Sequence, residues 1–285
     1  MKTIGIIAKK NRPEVLELIK SFILRLDKKG LKIILEKDLS VTGNIFKVAE
    51  RENIPEHADL LIVFGGDGTL LSVARLPGAE NVPILAVNLG GLGFLTETRG
   101  DEINQVLEKV LEGDYAIDRR MMLEATLRAH DTKPDTSFRA LNDIVINKGA
   151  LARIMDLDTS VNGNFLNTFK SDGLIICTPT GSTGYSLSAG GPIIYPSLNL
   201  ISLTPICPHT LTNRPIILPD DSIISVTLRS ESEDVFLTID GQVGIRICKG
   251  DPIEIKKSPK TISLIRTPFR SYFEILKQKL KWGER

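Results

Sequence analysis

Over roughly the first 114 residues, short unbroken apolar runs alternate with longer stretches in which apolar side chains recur at helical spacing. The runs at residues 3–8, 31–35, 60–64 and 84–87 read as buried strands. Residues 13–26 carry Val15, Leu16, Leu18, Ile19, Phe22, Ile23 and Leu26 on one helical face, with Pro13 at the start and Gly30 as the stop. Residues 70–76 and 102–111 read as two further helices. Strands alternating with helices predict a parallel sheet with helical crossovers, whose ligands sit at the C-terminal strand ends. Beyond Asp114 the pattern shortens. Strand-like runs at 123–128, 144–146, 157–161, 173–177, 223–228, 235–239 and 253–255 are punctuated by turn signals such as Asn162-Gly163, Asp220-Asp221 and Lys249-Gly250-Asp251. Residues 272–282 return to helical spacing. The expected fold class is an α/β N-terminal domain with a mainly parallel sheet, plus an all-β sandwich C-terminal domain. The expected division is 1–115, 116–268, and a C-terminal helix within 269–285 packing back on the first domain.

One turn stands out. Gly65-Gly66-Asp67-Gly68-Thr69 follows the strand at 60–64 and precedes the helix at 70–76. A Gly-rich turn opening a helix points several N–H groups at one place and can hold phosphate. A carboxylate there would repel phosphate unless it takes a proton, holds a divalent cation, or fixes a hydroxyl beside the phosphate. Asp67 therefore points to phosphoryl transfer to an alcohol. Asn88-Leu89-Gly90-Gly91-Leu92-Gly93-Phe94 follows the strand at 84–87 and is expected at the same sheet edge; Phe94 and Leu95 read as core.

Residues 178–186, TPTGSTGYS, place five Ser or Thr hydroxyls, Gly181, Gly184 and Tyr185 behind the strand at 173–177. Hydroxyls can donate to phosphate and ribose oxygens, glycines allow close backbone approach, and a Tyr can stack on a base. A surface loop capping a helix at Ser186 is the plainer alternative. Asn142-Asp143 could read an amide or base edge and two vicinal hydroxyls, or could be only a strand-entry turn. Asp172-Gly173 and Asp240-Gly241 carry the same ambiguity, and Lys170 could neutralise phosphate or simply be solvated.

Composition excludes more than it selects. With 36 Lys and Arg against 35 Asp and Glu, no bulk charge argues for nucleic acid or an anionic membrane. Cys177, Cys207 and Cys248 are too few and too scattered for a disulfide framework or zinc knuckle, and reduced cytoplasmic thiols are expected. The first apolar stretch is too short for a signal-peptide core. GxxxxGK[ST] and HExxH are absent, no GxGxxG follows the first strand, and His57, His130 and His209 form no metal triad.

Taken together and in order, GGDGT, LGGLGF, the Asn-Asp pair, SDGLIICTPTGSTGYSLSAGGPI, PICPHTLTNRPI and IDGQ resemble the bacterial NAD kinases across most of the chain, including Ser271-Tyr272-Phe273. GGDG alone is shared with diacylglycerol-type lipid kinases; the TPTGSTGYSLSAGGP run is far more specific. The resemblance implies transfer of the terminal phosphate of ATP to the 2′-hydroxyl of the adenosine ribose of NAD, in a cleft between an α/β domain and a β-sandwich. It implies Asp67 as general base, with Gly65, Gly66, Gly68 and Thr69 as the phosphate-donor loop. It implies NAD contacts from Asp67, Gly68, Asn142, Asp143, Arg153, Lys170, Asp172, Thr183, Gly184, Tyr185, Ser186, Leu187, Ser188 and Gln242. Many members carry Glu where Asp143 stands, and many carry Ala where Gly184 stands. Mg²⁺ is expected from phosphoryl-transfer chemistry and not from ligand spacing. A cytoplasmic homodimer or homotetramer with NAD and ATP as partners, and no nucleic acid or membrane, completes the expectation. Two competitors remain: a lipid kinase of the GGDGT type, disfavoured by the lack of a basic amphipathic helix, and a dinucleotide sensor without catalysis, disfavoured by the intact Asp67.

Overall fold

The structure is a computed structural model. It describes every residue except 1, 10–12, 38, 40–44, 129–134, 150–153, 232–233, 267–269 and 284–285, together with all but the side chains of 13–15. Arg153 and His130 lie outside the described residues. The chain divides into two compact units, one of residues 1–119 and 262–285, the other of 120–261.

The first unit is built on parallel strands. β1 (Thr3–Ala8) lies between β2 (Lys32–Glu36) and β4 (Leu60–Phe64); β3 (Lys47–Ala49) extends one side and β5 (Ile84–Asn88) the other. The short β6 (Thr98–Arg99) pairs with the end of β5. β4 and β5 are buried along their whole length, as their unbroken apolar sequences require. α1 (Pro13–Lys28) seats Ile19, Phe22, Ile23 and Leu26 in the core, where the Phe22 ring meets Phe64 edge-on at 5.6 Å. α3 (Ile103–Glu112) buries Ile103, Val106, Leu107 and Val110 and stops at Gly113, whose φ of 83° is the left-handed conformation a helix C-terminus favours.

α2 differs from the sequence expectation. It runs Asp67–Ala74 rather than starting at Leu70, because the amides of Thr69 and Leu70 bond back to the Gly66 carbonyl at 2.9 and 3.2 Å. The Gly-rich turn is thus the helix's own first turn, with Asp67 as its first residue.

The second unit is a sandwich. One layer is wholly antiparallel, in the order β14 (Ile216–Pro219), β13 (Leu200–Ile206), β12 (Gly173–Cys177), β9 (Asp143–Lys148), β16 (Val235–Ile239), β17 (Val243–Ile247). The facing layer contains β7 (Ala116–Leu127), β8 (Thr136–Ala140), β10 (Met155–Val161), β11 (Asn164–Ser171), β15 (Ile224–Leu228) and β18 (Pro252–Arg266). Inward residues of both layers, among them Leu123, Ile146, Leu157, Leu174, Leu203, Val226 and Leu237, share one apolar core. β8, β11, β13, β14 and β17 are strands that the apolar pattern does not single out. β11, NFLNTFKS, reads as polar, but Phe169 is buried opposite Leu157 and the rest of the strand is fixed by its pairing with β10. The end of β18 belongs to the first unit, where Leu264 pairs parallel with Ile84. α5 (Tyr272–Leu280) follows, opened by a capping box in which Ser271 and Glu274 satisfy each other's backbone amides. Arg270 just before it holds Glu102 with its two terminal guanidinium nitrogens, Nη1 and Nη2, which pulls the Glu102 carboxyl below its ordinary range. No helix among the described residues is long and apolar enough to cross a membrane.

Candidate active site

Asp67 is held, not free-swinging. The loop after β5 folds over it so that Oδ2 accepts from the Phe94 amide at 2.8 Å, while Oδ1 accepts from the Leu95 and Thr96 amides at 3.1 Å each and from the Thr96 hydroxyl at 3.0 Å. Oδ1 is saturated. Oδ2 carries one such bond and keeps a lone pair for another donor. This arrangement requires glycine at 93, where a Cβ would stand 2.1 Å from Asp67 Oδ1 and 2.2 Å from the Thr96 hydroxyl. Asn88 braces the same loop, donating to Thr96 Oγ1 at 2.7 Å and accepting from the Gly90 amide at 2.7 Å. Leu95 is buried, as its sequence reading as core expects, whereas Phe94 is only half-buried; both supply backbone donors to the carboxylate. Beside them opens a pocket of about 270 Å³, lined by Gly65, Gly66, Asp67, Asn88 and the glycines of the 88–93 loop. A Cβ at Gly66 would meet nothing, so the backbone there is open to a ligand. Thr69 turns toward Gly65, where a Cβ would lie 2.3 Å from its hydroxyl.

The second unit carries its own pocket, about 350 Å³, lined by Asn142, Asp143, Val145, Asn147, Tyr185, Thr238, Asp240 and Gly241. The Asn-Asp pair is positioned by two clamps. Asp240, in a left-handed turn at φ 48°, accepts from the amides of Leu141, Asn142 and Asp143 at 3.2, 2.8 and 3.2 Å. Thr178 donates its hydroxyl to the Leu141 carbonyl at 2.6 Å, and Gly181 lies so close to Asn142 that a Cβ would be 2.1 Å from its carbonyl oxygen. Asn142 Oδ1 is left buried without a partner. Asp143 is buried, and desolvation followed by the charge of Asp240 pushes its carboxyl up to about 7. Both are features a ligand would relieve: an amino group for the orphan oxygen, hydroxyl donors for the carboxylate.

The 178–188 segment folds as a short 3-10 turn, Thr180–Thr183, and a single helical turn, α4 (Tyr185–Ser188). Tyr185 is 47% exposed at the pocket edge. Gly184 borders Asn142 and Asp143: a Cβ there would sit 3.5 Å from Asn142 Nδ2 and 3.8 Å from Asp143 Oδ2, so glycine leaves that volume open. Ser186 is different. Its side chain is fully buried, its hydroxyl is 3.1 Å from that of Thr204, and Gly191 packs against it. It fixes the loop from inside and presents no hydroxyl to a ligand. Thr183 bonds the Thr180 carbonyl at 3.4 Å, Leu187 is half-buried and Ser188 exposed. Lys170 is solvent-facing, 3.9 Å from Asp156. Asp172 forms an ion pair with Lys148 at 2.9 Å, a partner that no local motif signals. Gln242 is exposed in the turn after Asp240, its amide bonded to the Ile239 carbonyl. Lys170, Asp172, Thr183, Gly184, Ser186, Leu187, Ser188 and Gln242 lie outside the walls of the second-unit pocket, while Asn142, Asp143 and Tyr185 are brought together there. Cys177 is buried with its thiol pushed up to about 12, consistent with a packing role. A larger pocket, about 820 Å³, lies against β2 and β3; its lining residues include Lys32, Lys47 and His57 but no carboxylate.

The Gly-rich turn with its fixed carboxylate thus lies on the α/β unit, and the Asn142–Asp143 pocket on the β-sandwich. Family models for the ATP-NAD kinase N-terminal and C-terminal domains match residues 4–115 and 141–267. The chain is 52% identical to the NAD kinase of Geotalea daltonii and 51% identical to that of Geobacter sulfurreducens, each over 100% of both chains. Its fold superposes on a crystal structure of yeast NADH kinase complexed with NADH with a TM-score of 0.92 and 28% identity, covering 100% of this chain and 89% of that one. An NAD kinase from Archaeoglobus fulgidus, in complex with ATP, shares the fold at a TM-score of 0.76 and 24% identity, covering 97% and 99%. The chain belongs to the NAD kinase family.

Tyr185→Ala is expected to weaken NAD binding by about 1–3 kcal/mol, the worth of an aromatic platform under a base. Calorimetric titration checks it; an unchanged dissociation constant removes Tyr185 as that platform.

Proposed function

We propose that the chain transfers the terminal phosphoryl group of ATP to the 2′-hydroxyl of the adenosine ribose of NAD, with Asp67 orienting that hydroxyl and accepting its proton. The observation that carries this reading is the Asp67 carboxylate with one saturated oxygen and one oxygen still able to accept. A ribose hydroxyl is a poor acid. Oδ2 therefore takes the proton late, as the phosphoryl group arrives in line, and most of the rate comes from positioning. The backbone at Gly65, Gly66 and Gly68 receives the donor phosphates. Asn142 Oδ1 accepts from the adenine amino group, Asp143 takes ribose hydroxyls and Tyr185 stacks on a base. Arg153, Lys170, Asp172, Thr183, Gly184, Leu187, Ser188 and Gln242 are carried as NAD contacts by resemblance alone; Asp172 would bring only the carboxylate capacity that Lys148 leaves it.

Among the described residues no group of three or more His, Cys, Asp or Glu side chains could cage a metal ion. A divalent cation would enter as part of the donor's metal–triphosphate complex, held chiefly by the phosphates. The homodimer or homotetramer implied by the resemblance belongs to the same reading.

The test is NADP formation by the purified chain with NAD, ATP and Mg²⁺. NAD binding without product would favour a sensor. Phosphorylation of a lipid, with no NAD binding, would favour the lipid-kinase reading.

A further inference from the structure

The pocket beside Asp67 has two cationic walls that come from opposite ends of the chain. Lys9 directly follows β1 and is pinned there, its amide donating to the Phe64 carbonyl at 2.8 Å, one residue before the Gly-rich turn. Lys279 is on the last turn of α5. Both line the same pocket as Gly65, Gly66 and Asp67. Lys279 Nζ lies 5.6 Å from the centroid of the Phe94 ring, and the Phe94 amide is the one that binds Asp67 Oδ2. The position of Lys279 is built from below: Arg270 ties the start of α5 to Glu102 next to α3, the Ser271–Glu274 box fixes the first turn, and Ile275 and Leu276 bury its inner face. Both ammonium groups are on exposed residues. Both lysines bring positive charge to a pocket that already holds the Asp67 carboxylate. A polyphosphate chain there needs such cations, because the Asp67 charge would otherwise repel it.

We propose that Lys9 and Lys279 clamp the phosphate chain of the donor, so that α5 completes the donor pocket. This deepens the reading of the Gly-rich turn given above and rests on it for the identity of the donor. The ligand chemistry is a linear triphosphate, from a nucleoside triphosphate or from inorganic polyphosphate. Lysine suits the role as a point charge on a long, mobile stem that can follow the phosphoryl group.

The experiment compares Lys9→Ala, Lys279→Ala and Lys279→Arg with a control, Lys277→Ala, which removes a charge from the same helix outside the pocket. Inorganic tripolyphosphate, ATP and NAD are titrated separately onto the full chain, and KM for ATP and NAD is measured. Lys9→Ala and Lys279→Ala should each weaken ATP and tripolyphosphate roughly tenfold, the loss expected for one charge-assisted hydrogen bond. Lys279→Arg should restore most of it, and NAD binding and the Lys277 control should hold. Loss for ATP but not tripolyphosphate would place the lysines on the nucleoside and overturn the clamp. Equal loss in the Lys277 control, or unchanged ATP binding, would also overturn it. A wild-type chain that makes no NADP yet binds tripolyphosphate through these lysines would sink the NAD-kinase reading and leave the clamp standing.

Discussion

Asp67→Asn is expected to bind NAD and lose most of its turnover, by roughly 10²- to 10⁴-fold, the usual worth of a positioned acid–base group. The geometry adds a second effect. Four donors converge on the carboxylate, and an asparagine must present its NH₂ to at least one of them. That donor is left unpaired in a half-buried loop, at a cost of about 1–3 kcal/mol. The variant should therefore melt lower as well as turn over slowly. Steady-state kinetics and a melting curve on the same preparation separate the two. A variant that melts like the wild type but is inactive isolates the chemical role, whereas full turnover would remove Asp67 as the base.

Asp143→Asn is expected to move stability and binding in opposite directions. The sign follows from burial. In the folded chain the Asp143 carboxyl keeps its proton up to about 7, while in the unfolded chain it releases the proton near the ordinary carboxylate value of about 4. Between those values the folded state binds more protons than the unfolded one, so stability falls as pH rises through about 4 to 7 and stays reduced above it. An asparagine, neutral throughout, escapes that loss. The variant should gain roughly 2–4 kcal/mol over the wild type at pH 8 and nothing at pH 4, by the same linkage. It should also bind NAD about tenfold or more weakly, because an amide offers hydroxyl donors a poorer acceptor than a carboxylate. Melting curves at the two pH values, paired with NAD titration, check this. A variant less stable than the wild type at pH 8 would show that Asp143 is not held at an energetic cost. Gly184 bears on the same group: alanine there would narrow the opening beside Asp143 Oδ2.

Such a cost is what a functional residue carries. In the second-unit pocket, Asn142 has a buried oxygen without a protein partner and Asp143 a carboxyl pushed up by burial. Asp240 maintains both, with three amides of one loop gathered on its carboxylate. In sequence, Asp240-Gly241 is indistinguishable from an ordinary hairpin turn.

The sequence by itself determined the elements whose side chains repeat with a period. The buried strands of the first unit, the apolar face of α1, the shift to strands beyond Asp114 and the Gly-rich turn behind β4 are all local patterns, because burial on one face writes a period into neighbouring residues; the lengths of β7 (Ala116–Leu127) and β18 (Pro252–Arg266) exceed the apolar runs inside them. The linear motifs carried the family in the same way. Only the tertiary structure decided how the chemistry is held. Asp67 meets its donors 27 to 29 residues away, and Asn142 meets Asp240 98 residues away. Ser186 stands in a run of hydroxyls that reads either as ligand-facing or as a helix-capping loop, and the fold turns its side chain inward onto Thr204. Lys148 takes an oxygen of Asp172, and α5 brings Lys279 to a pocket that opens beside Asp67. A hydrogen bond between distant residues constrains each partner's type but leaves no period around it. Those pairings exist only once the core has set the distances.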